Sequence, residues 1–245
     1  MRILISNDDG IEAEGICALY DALSGDAELV VVAPDCQRSA SSHGISLHQP
    51  LRIRAVDVPG IQEAYATSGT PVDCVKWALS TLHRKTPFDM MLSGINAGAN
   101  LASDVLYSGT VAAAGEAALQ GVPSIAFSAV GPPFDFRQAA VAARRIFQLL
   151  NSVELPKETF LNVNFPTTLK STEHVWTVLG VRKYHDKFAV ELDAEGNEVY
   201  RYDGEIIDEK GDGTNDIDAV AAGYISITPL QYRFMNEQFY AQMKS

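Results

Sequence analysis

Cysteine is scarce in this sequence, and the three that occur, Cys17, Cys36 and Cys74, show no C-x-x-C spacing. Three cysteines cannot all pair within one chain, which argues against a disulfide framework. Each of them lies among apolar or helix-forming residues, where a small buried hydrophobe fits. We therefore expect three free, buried thiols.

Long apolar runs are also missing. The chain begins Met-Arg-Ile-Leu-Ile-Ser-Asn-Asp-Asp and reaches acidic residues by position 8. No segment has the length and apolar composition of a signal peptide or a membrane span. The sequence therefore predicts a cytoplasmic protein that has no membrane partner.

Positive charge is in short supply, because 19 Lys and Arg face 31 Asp and Glu and give a formal net charge of -12. A duplex-binding protein shows the opposite balance, so we expect no long nucleic acid as a partner. An acidic protein that binds a small phosphate ester must create positive potential locally. A bound cation and the N-termini of helices can both supply it.

Several common cofactor and catalytic motifs do not occur. The sequence has no Walker loop, no G-x-G-x-x-G after a strand, no G-x-S-x-G elbow and no H-E-x-x-H helix. The missing glycine fingerprint disfavours a nicotinamide-dependent oxidoreductase. His43 and His48 share a loop, but their spacing matches no known metal-binding motif, and we expect both at the surface.

Short apolar runs alternate with helical patterns through the first half of the chain. Strands buried on both faces, with helices between them, indicate a parallel sheet wound in βαβ units. The predicted strands are Ile3–Ser6, Leu29–Ala33, Ala64–Thr67, Met90–Ser93 and Ile125–Ser128, and the predicted helices are Gly15–Leu23, Val72–Leu82 and Val111–Leu119.

The second half adds a helix over Arg137–Leu150 and strands at Leu161–Asn164 and Gly223–Leu230, followed by a polar, helical tail. Charged and aromatic residues alternate on both sides of a turn signal at 193–197, which predicts a projecting hairpin over about 184–212. The predicted fold is thus α/β: a Rossmann-like, mostly parallel sheet flanked by helices, with a C-terminal β-hairpin extension. We expect a single domain over residues 1–245, with the Rossmann-like core in 1–130 and the remaining core elements, the hairpin and the C-terminal helix in 131–245.

Polar residues follow three of the predicted strands, at the rim where an open parallel sheet binds ligands. They are Asp8 and Asp9 after the first strand, Ser39 after the second and Asn96 after Met90–Ser93. These side chains offer only oxygen ligands, which suits magnesium or manganese. Alone, Asp-Asp-Gly would be an ordinary turn. The matching positions of the other two loops favour a metal site.

The segment Tyr107-Ser-Gly-Thr110 precedes a strongly helical run, so Ser108 is expected to cap a helix. Free amides at Ser108, Gly109 and Thr110 would then attract phosphate. A cap without a ligand fits this segment equally well.

Three other acidic residues, Asp73, Glu116 and Asp104, are candidate general acid–base groups, although such residues are more often caps or solvated carboxylates. Asp104 is the best catalytic candidate, because it lies between Asn96 and Ser108.

Six motifs, in the same order along nearly the whole chain, resemble the SurE family of survival-protein nucleotidases. Each motif is modest alone, and together they are highly specific. They are Ile3-Leu-Ile-Ser-Asn-Asp-Asp-Gly-Ile11, Val32-Ala-Pro-Asp35 with Arg38-Ser39, Ser93-Gly-Ile-Asn-Ala-Gly-Ala-Asn100, Tyr107-Ser-Gly-Thr-Val111, Leu161-Asn-Val-Asn164 and Gly223-Tyr-Ile-Ser-Ile-Thr-Pro-Leu230.

The resemblance implies 5′- and 3′-nucleotidase activity, some exopolyphosphatase activity, and a homodimer or homotetramer assembled partly through the hairpin. It implies one divalent metal ion per subunit, Mg²⁺ or Mn²⁺, and a phosphate-contacting Ser108. Ala40 and Ala102 stand where the family usually has glycine. The implied metal ligands are Asp8, Asp9, Ser39 and Asn96, and the candidate substrate-binding residues are Asn96, Asn100, Ser108, Gly109 and Thr110.

These observations lead to one mechanistic hypothesis and one alternative. In the hypothesis, the cation polarises the phosphoryl oxygens and activates a water for in-line attack, and Asp8 or Asp9 accepts the proton. An aspartyl-phosphate route is disfavoured because the D-x-D pattern is absent. In the alternative, the chain is a non-catalytic, metal-containing nucleotide-binding or regulatory protein.

Overall fold

The chain folds around a nine-stranded sheet in the order β3-β4-β2-β1-β5-β6-β7-β13-β8, within the residues that the structure describes. The structure is a computed structural model, and it describes residues 1–151, 153–170 and 173–244. The strands are β1 (Arg2–Ser6), β2 (Glu28–Pro34), β3 (Ile53–Ala55), β4 (Ala64–Thr67), β5 (Met90–Ala97), β6 (Ser124–Ala129), β7 (Thr159–Phe165), β8 (His174–Trp176), β9 (Arg182–His185), β10 (Phe188–Leu192), β11 (Glu198–Tyr202), β12 (Glu205–Asp208) and β13 (Ile225–Gln231).

The helices begin at residues suited to that position. Thr70 caps one helix with a capping box and Pro71 in its first turn, and Ser108 caps the next. In the described part of the chain, no helix combines the length and apolar composition needed to cross a bilayer. The α-helices are α1 (Glu14–Leu23), α2 (Pro71–Lys85), α3 (Gly109–Leu119), α4 (Phe136–Leu150), α5 (Asp216–Ala221) and α6 (Glu237–Lys244), and a 3₁₀ helix, η1, covers Ala102–Leu106.

Helices cover both faces of the parallel part of the sheet. Ile3 and Ile5 of β1 pack into the core beneath α1 and α4, whereas Leu4 packs into the core beneath α2 and α3. Successive side chains of a strand point to opposite faces, so both faces of β1 are apolar and buried. The continuous apolar runs recognised in the sequence have this origin.

The strand order reverses between β1 and β5. From β1 the chain moves outward through β2 to β4, and it then returns to place β5 on the other side of β1. Both neighbours run parallel to β1, so the loops after β1 and β5 diverge and leave a crevice between them. Asp8 and Asp9 follow β1, and Asn96 lies at the end of β5.

A hairpin projects from the second half of the chain. Its outer ladder pairs β10 with β11, and its inner ladder pairs β9 with β12, both antiparallel. Asp193 closes the tip by accepting the amides of Glu195 and Asn197 at 3.0 and 2.8 Å. The predicted hairpin is confirmed, with its strands spanning 182–208. That the whole chain forms one domain stays a prediction.

The predicted α/β fold class is confirmed, and two expectations about local structure need correction, the end of one strand and the burial of the cysteines. The strand expected to end at Ser93 continues to Ala97, because a bulge rather than a loop follows Ser93. Of the three cysteines, only Cys74 is fully buried, whereas Cys17 is half-buried and Cys36 is exposed. Cys36 lies in the loop after β2, where apolar neighbours in sequence do not imply burial.

We expect Phe127→Ala to lower the free energy of unfolding by about 3–5 kcal/mol. Phe127 lies in β6 without solvent exposure and stacks on Phe165 at 5.8 Å, so truncation leaves a cavity between two parallel strands. Urea denaturation measures the effect. Leu149→Ala in α4, where the leucine is 51% exposed, is the control and should cost less than about 1 kcal/mol. Equal losses in the two variants would contradict this description of the core.

Candidate active site

A cleft of about 200 Å³ opens at the carboxyl ends of β1 and β5. All four predicted metal ligands line it, although they come from three separate loops. The lining consists of Asp8, Asp9, Ser39, Ala40, Asn96, Ala97, Ala99, Asn100, Asp104, Tyr107, Ser108 and Tyr184.

The turn after β1 is held by the side chain of Asn7. Its Oδ1 accepts the amide of Gly10 at 3.2 Å, and its Nδ2 donates to the carbonyl of Gly10 at 2.8 Å. Gly10 has a φ of +109°, a conformation that other residues rarely adopt. This closed turn keeps the carboxylates of Asp8 and Asp9 next to each other at the cleft.

Asp8 is a buried carboxylate, only 5% exposed. The hydroxyl of Thr110 donates a hydrogen bond to its Oδ1. Burial raises the pKa of the Asp8 carboxyl above its ordinary value, and the neighbouring charge of Asp9 raises it further, despite the bond from Thr110. The ionised form therefore lacks full compensation from the protein, and a bound cation would supply it.

Asp9 joins the loop after β1 to two other loops. Its Oδ2 accepts the backbone amide of Ala97, at the end of β5, at 2.9 Å. Gln37, in the loop after β2, places its Nε2 at 3.5 Å from Oδ1 of Asp9 and donates to Oγ of Ser39 at 2.9 Å. The proposed ligands Asp9 and Ser39 are thus connected through one amide side chain.

Asn96 faces the cleft because of the bulge in β5. The register between β5 and β6 shifts between Ser93 and Asn96, and Gly94 at the shift has a φ of +123°. A side chain at position 94 would lie 2.3 Å from the carbonyl oxygen of Phe127. Nδ2 of Asn96 donates to the carbonyl of Gly98 at 2.9 Å, so its amide oxygen is the atom that it can offer to a ligand.

The start of α3 reaches the cleft at Ser108. Its Oγ caps the helix by accepting the amide of Val111 at 3.1 Å. Gly109 and Thr110, the other predicted phosphate contacts, are buried behind Asp8 and do not line the cleft. Of this segment, the structure therefore brings Ser108 to the other site residues, and substrate binding by Gly109 and Thr110 stays a prediction.

Asn100 is fixed by a network of neutral side chains. The backbone amide of Asn100 donates to Oδ1 of Asn164 at 2.9 Å, and its side-chain Nδ2 donates to Oγ of Ser128 at 2.8 Å. Its carbonyl accepts from Asn162 at 2.8 Å and from Asn164 at 3.0 Å. The sequence analysis did not assign a role to Asn162 and Asn164, although the polar residues of the Leu161-Asn-Val-Asn164 motif inside a buried strand were a usable signal.

Asp104 lies at the cleft with both carboxylate oxygens engaged. Nη1 of Arg182 donates to Oδ2 at 2.6 Å, and the hydroxyl of Tyr184 donates to Oδ1. Both partners belong to β9, so Asp104 connects η1 to the base of the hairpin. A catalytic role for Asp104 stays a prediction, and the contacts favour a positioning role. Tyr107 and Tyr184 also line the cleft, and the sequence analysis missed both of them.

The donor set fits a hard divalent cation. Two carboxylates, a serine hydroxyl and an amide oxygen face the cleft, which suits Mg²⁺ or Mn²⁺. No Lys, Arg or His is among the lining residues, so an anionic substrate would meet uncompensated negative charge without a cation. The cleft lining contains neither His nor Cys, so its residues offer oxygen ligands rather than nitrogen or sulfur ligands.

The two alanines found in place of glycine both adopt left-handed backbone conformations. Ala40, beside Ser39, has a φ of +55°, and Ala102, at the start of η1, has a φ of +50°. The backbone of both loops thus has the conformation that favours glycine. Each alanine in it costs roughly 1–2 kcal/mol of conformational free energy relative to a right-handed conformation.

The loop that carries Ser39 is anchored by a buried charge. His43 of this loop lies 2.8 Å from Oε2 of Glu116 in α3, and Lys76 of α2 lies 2.8 Å from Oε1. Gln120 also donates to Oε1, at 2.7 Å. Burial would raise the pKa of Glu116, but the bonds from His43, Lys76 and Gln120 outweigh it and lower this pKa to about 2. The expectation of a solvated Glu116 is wrong, because Glu116 is 5% exposed and pairs with His43 and Lys76. The side chain of His43 is 30% exposed and lies partly at the surface.

Comparison with known proteins gives a consistent result. A family model described as survival protein SurE matches residues 3–186. The chain is 42% identical over 251 residues to the 5′-nucleotidase SurE of Alkaliphilus metalliredigens, covering 100% of this chain and 98% of that protein. It is 46% identical to the 5′-nucleotidase SurE of Vibrio vulnificus strain CMCP6, covering 94% and 89%. Among solved structures, the SurE protein of Aquifex aeolicus is similar at 34% identity with a TM-score of 0.84, covering 100% and 98%.

The anchoring of the Ser39 loop predicts a pH-dependent loss of stability. The folded-state pKa of Glu116, about 2, lies below the ordinary 4.5, so its contribution is present above pH 4.5 and is lost as the pH falls toward 2. We expect Glu116→Gln to cost on the order of 3 kcal/mol at pH 7 and roughly half or less of that at pH 3. Urea denaturation at both pH values measures the difference.

Glu195→Gln, at the exposed tip of the hairpin, is the matched control and should change stability little at either pH. A cost of Glu116→Gln that is the same at pH 7 and pH 3 would show that the charge of Glu116 contributes nothing.

Proposed function

The chain belongs to the SurE family of survival proteins, and we propose that it is a metal-dependent phosphoric monoester hydrolase acting as a nucleotidase. Its substrates are nucleoside 5′- and 3′-monophosphates, which it converts to nucleoside and phosphate. The relatives named 5′-nucleotidase SurE support the 5′ activity. Hydrolysis of 3′-monophosphates and of polyphosphate stays a prediction.

One observation carries the proposal: oxygen donors from three loops and the capped start of α3 line the same cleft. The donors suit a cation, and the helix start suits an anion. A phosphate ester bound between them would contact both. A turn or a helix cap with only a structural role does not require the other loops to converge on the same cleft.

Within this proposal, Asp8, Asp9, Ser39 and Asn96 hold one Mg²⁺ or Mn²⁺ ion per subunit. When bound, such an ion supplies Lewis-acid polarisation of the phosphoryl group and lowers the pKa of a coordinated water. Gln37 and the amide of Ala97 orient the carboxylate and hydroxyl ligands through the contacts described above. Thr110 fixes Asp8 in the same way.

The remaining site residues position the substrate. Ser108 orients the phosphate from the start of α3, and Asn100 keeps the loop after β5 in place. Asp8 or Asp9, both at the cleft beside the proposed ion, accepts the proton of an attacking water. Positioning and charge neutralisation supply most of the catalysis, as phosphoryl transfer requires.

Two further predictions concern the oligomeric state of the protein and its location in the cell. Exposed apolar side chains of the hairpin, including Phe188, Val190 and Leu192, support its participation in a homodimer or homotetramer. The cytoplasmic location stays a prediction as well.

The nucleotidase proposal predicts that purified protein releases phosphate from nucleoside monophosphates when Mg²⁺ or Mn²⁺ is present. Chelation should abolish the release, because removing the cation leaves the negative charges of Asp8 and Asp9 uncompensated, and they repel the phosphate. A phosphate-release assay on a panel of 5′- and 3′-monophosphates measures it. Nucleotide-induced thermal stabilisation without any phosphate release would instead establish the alternative, a non-catalytic nucleotide-binding protein.

Replacement of a proposed ligand gives the sharpest test of the metal site. We expect Asp9→Asn to weaken Mn²⁺ binding and to reduce phosphate release by about 100-fold or more, with the fold intact. Titration calorimetry measures the metal affinity independently of activity. Asp21→Asn, an exposed change on α1, is the control and should leave both quantities unchanged. Full activity in Asp9→Asn would remove Asp9 from the ligand set.

A further inference from the structure

Two tyrosines line the cleft and have no part in the chemistry described so far. Tyr107 is 57% exposed, which is unusual for a ring beside a buried catalytic loop, and Tyr184 is half-buried. The remaining non-ligand lining includes three alanines, Ala40, Ala97 and Ala99. A flat, neutral group bound in the cleft beside the phosphate would therefore contact aromatic rings and methyl groups.

Tyr184 is held rigidly by charged neighbours. Its hydroxyl donates to Asp104, whose other oxygen accepts from Arg182. Arg182 is 90% buried and also donates to both oxygens of Asp208 in β12, at 2.7 and 2.8 Å. Burial, followed by the bond to Asp104, raises the pKa of Tyr184 to about 12, so its hydroxyl stays protonated and keeps donating at neutral pH. The ring thus has a fixed place at the cleft.

Tyr107 is held by its backbone, and the residue is 57% exposed. Its amide donates to the carbonyl of Asp104 at 3.0 Å, and its carbonyl accepts the amide of Ser42 at 3.0 Å. It directly precedes Ser108, the cap of α3. A phosphate at this helix start would therefore place its ester group beside the ring of Tyr107.

A second, larger cleft of about 750 Å³ meets the first at Asp9, and it offers different chemistry. Its lining contains Glu12, Asp35, Asp57 and Arg54 and no aromatic residue. Arg54 could attract a further phosphate group, but the surrounding carboxylates would oppose it. A nucleobase gains most from stacking on aromatic rings, which only the first cleft provides.

We propose that Tyr107 and Tyr184 form the wall that receives the nucleobase, and that Asp104 and Arg182 are positioning residues that hold Tyr184. This inference rests on the proposed function and adds the residues that select a nucleotide over a base-free phosphate ester. It assigns recognition to the base rather than to a chain of further phosphates, since no cationic side chain lines this cleft.

Selectivity between two substrates tests the wall. The ratio of kcat/KM for adenosine 5′-monophosphate to that for ribose 5-phosphate isolates the base, because both substrates carry the same phosphorylated ribose. We expect Tyr107→Ala and Tyr184→Ala each to lower this ratio about tenfold, mainly through KM for the nucleotide. Tyr184→Phe retains the ring but loses the bond to Asp104, so its ratio should lie between those of the unmodified protein and Tyr184→Ala. Tyr240→Ala in α6, where the tyrosine is 49% exposed and outside the cleft, is the control.

Two outcomes would overturn the inference. One is an unchanged ratio in both alanine variants, which would mean that the rings do not contact the base. The other is a tenfold fall in the ratio in Arg54→Ala but not in the tyrosine variants, which would place the base in the larger cleft.

Nucleoside binding tests the same wall without turnover. Titration calorimetry with adenosine and with ribose should show measurable binding of adenosine alone, weakened about tenfold in Tyr107→Ala. Equal affinities for adenosine and ribose in the unmodified protein would overturn the inference. Absence of phosphate release from every monophosphate would instead overturn the proposed function, while the adenosine titration would still decide the role of the tyrosines.

Discussion

The adjacent carboxylates of Asp8 and Asp9 impose the constraint on which the site depends. Two negative charges on neighbouring residues, one of them buried, are costly in a low-dielectric environment unless something compensates them. The protein supplies only part of this compensation, through the hydroxyl of Thr110 and the amide of Ala97. The remaining negative charge favours binding of a dication in the cleft. The bound dication would in turn allow this acidic protein to bind a phosphate.

Each of the loops that converge on this pair is fixed by a different physical device. The loop after β5 is held by neutral hydrogen bonds between Asn100, Asn164 and Ser128, which add no net charge near the carboxylates. The loop after β2 is anchored at a distance by the ion pairs of Glu116. Stable sheet and helix ends thus provide the geometry, and the charged groups that stabilise the loops stay outside the cleft lining. The charged residues of the lining are Asp8, Asp9 and Asp104, and Asp104 is paired with Arg182, so Asp8 and Asp9 contribute the negative charge that a cation would balance.

Sequence reasoning reached the fold class and the site loops because both depend on local patterns. Apolar runs ending in polar turns identify buried parallel strands, and their carboxyl ends meet at one rim, so Asp8, Asp9, Ser39 and Asn96 could be grouped in advance. The bulge at Gly94 was not predicted, because a glycine after a short apolar run has the same local sequence pattern whether a bulge or a loop follows. Contacts between distant segments escaped as well: nothing near His43 or Glu116 in sequence indicates their pairing, and nothing near Tyr184 indicates a place beside Asp104.

The attachment of the hairpin through Arg182 divides that extension into two parts that can change independently. Its root is tied to η1 by the part-buried pair of Arg182 with Asp104 and to β12 by the pair of Arg182 with Asp208, so altering its length there would displace Asp104. Its apex is a solvent-exposed turn closed only by its own hydrogen bonds at Asp193. Insertions and deletions among relatives should therefore accumulate at the apex, where the hairpin can change its length and shape without changing the dimensions of the cleft.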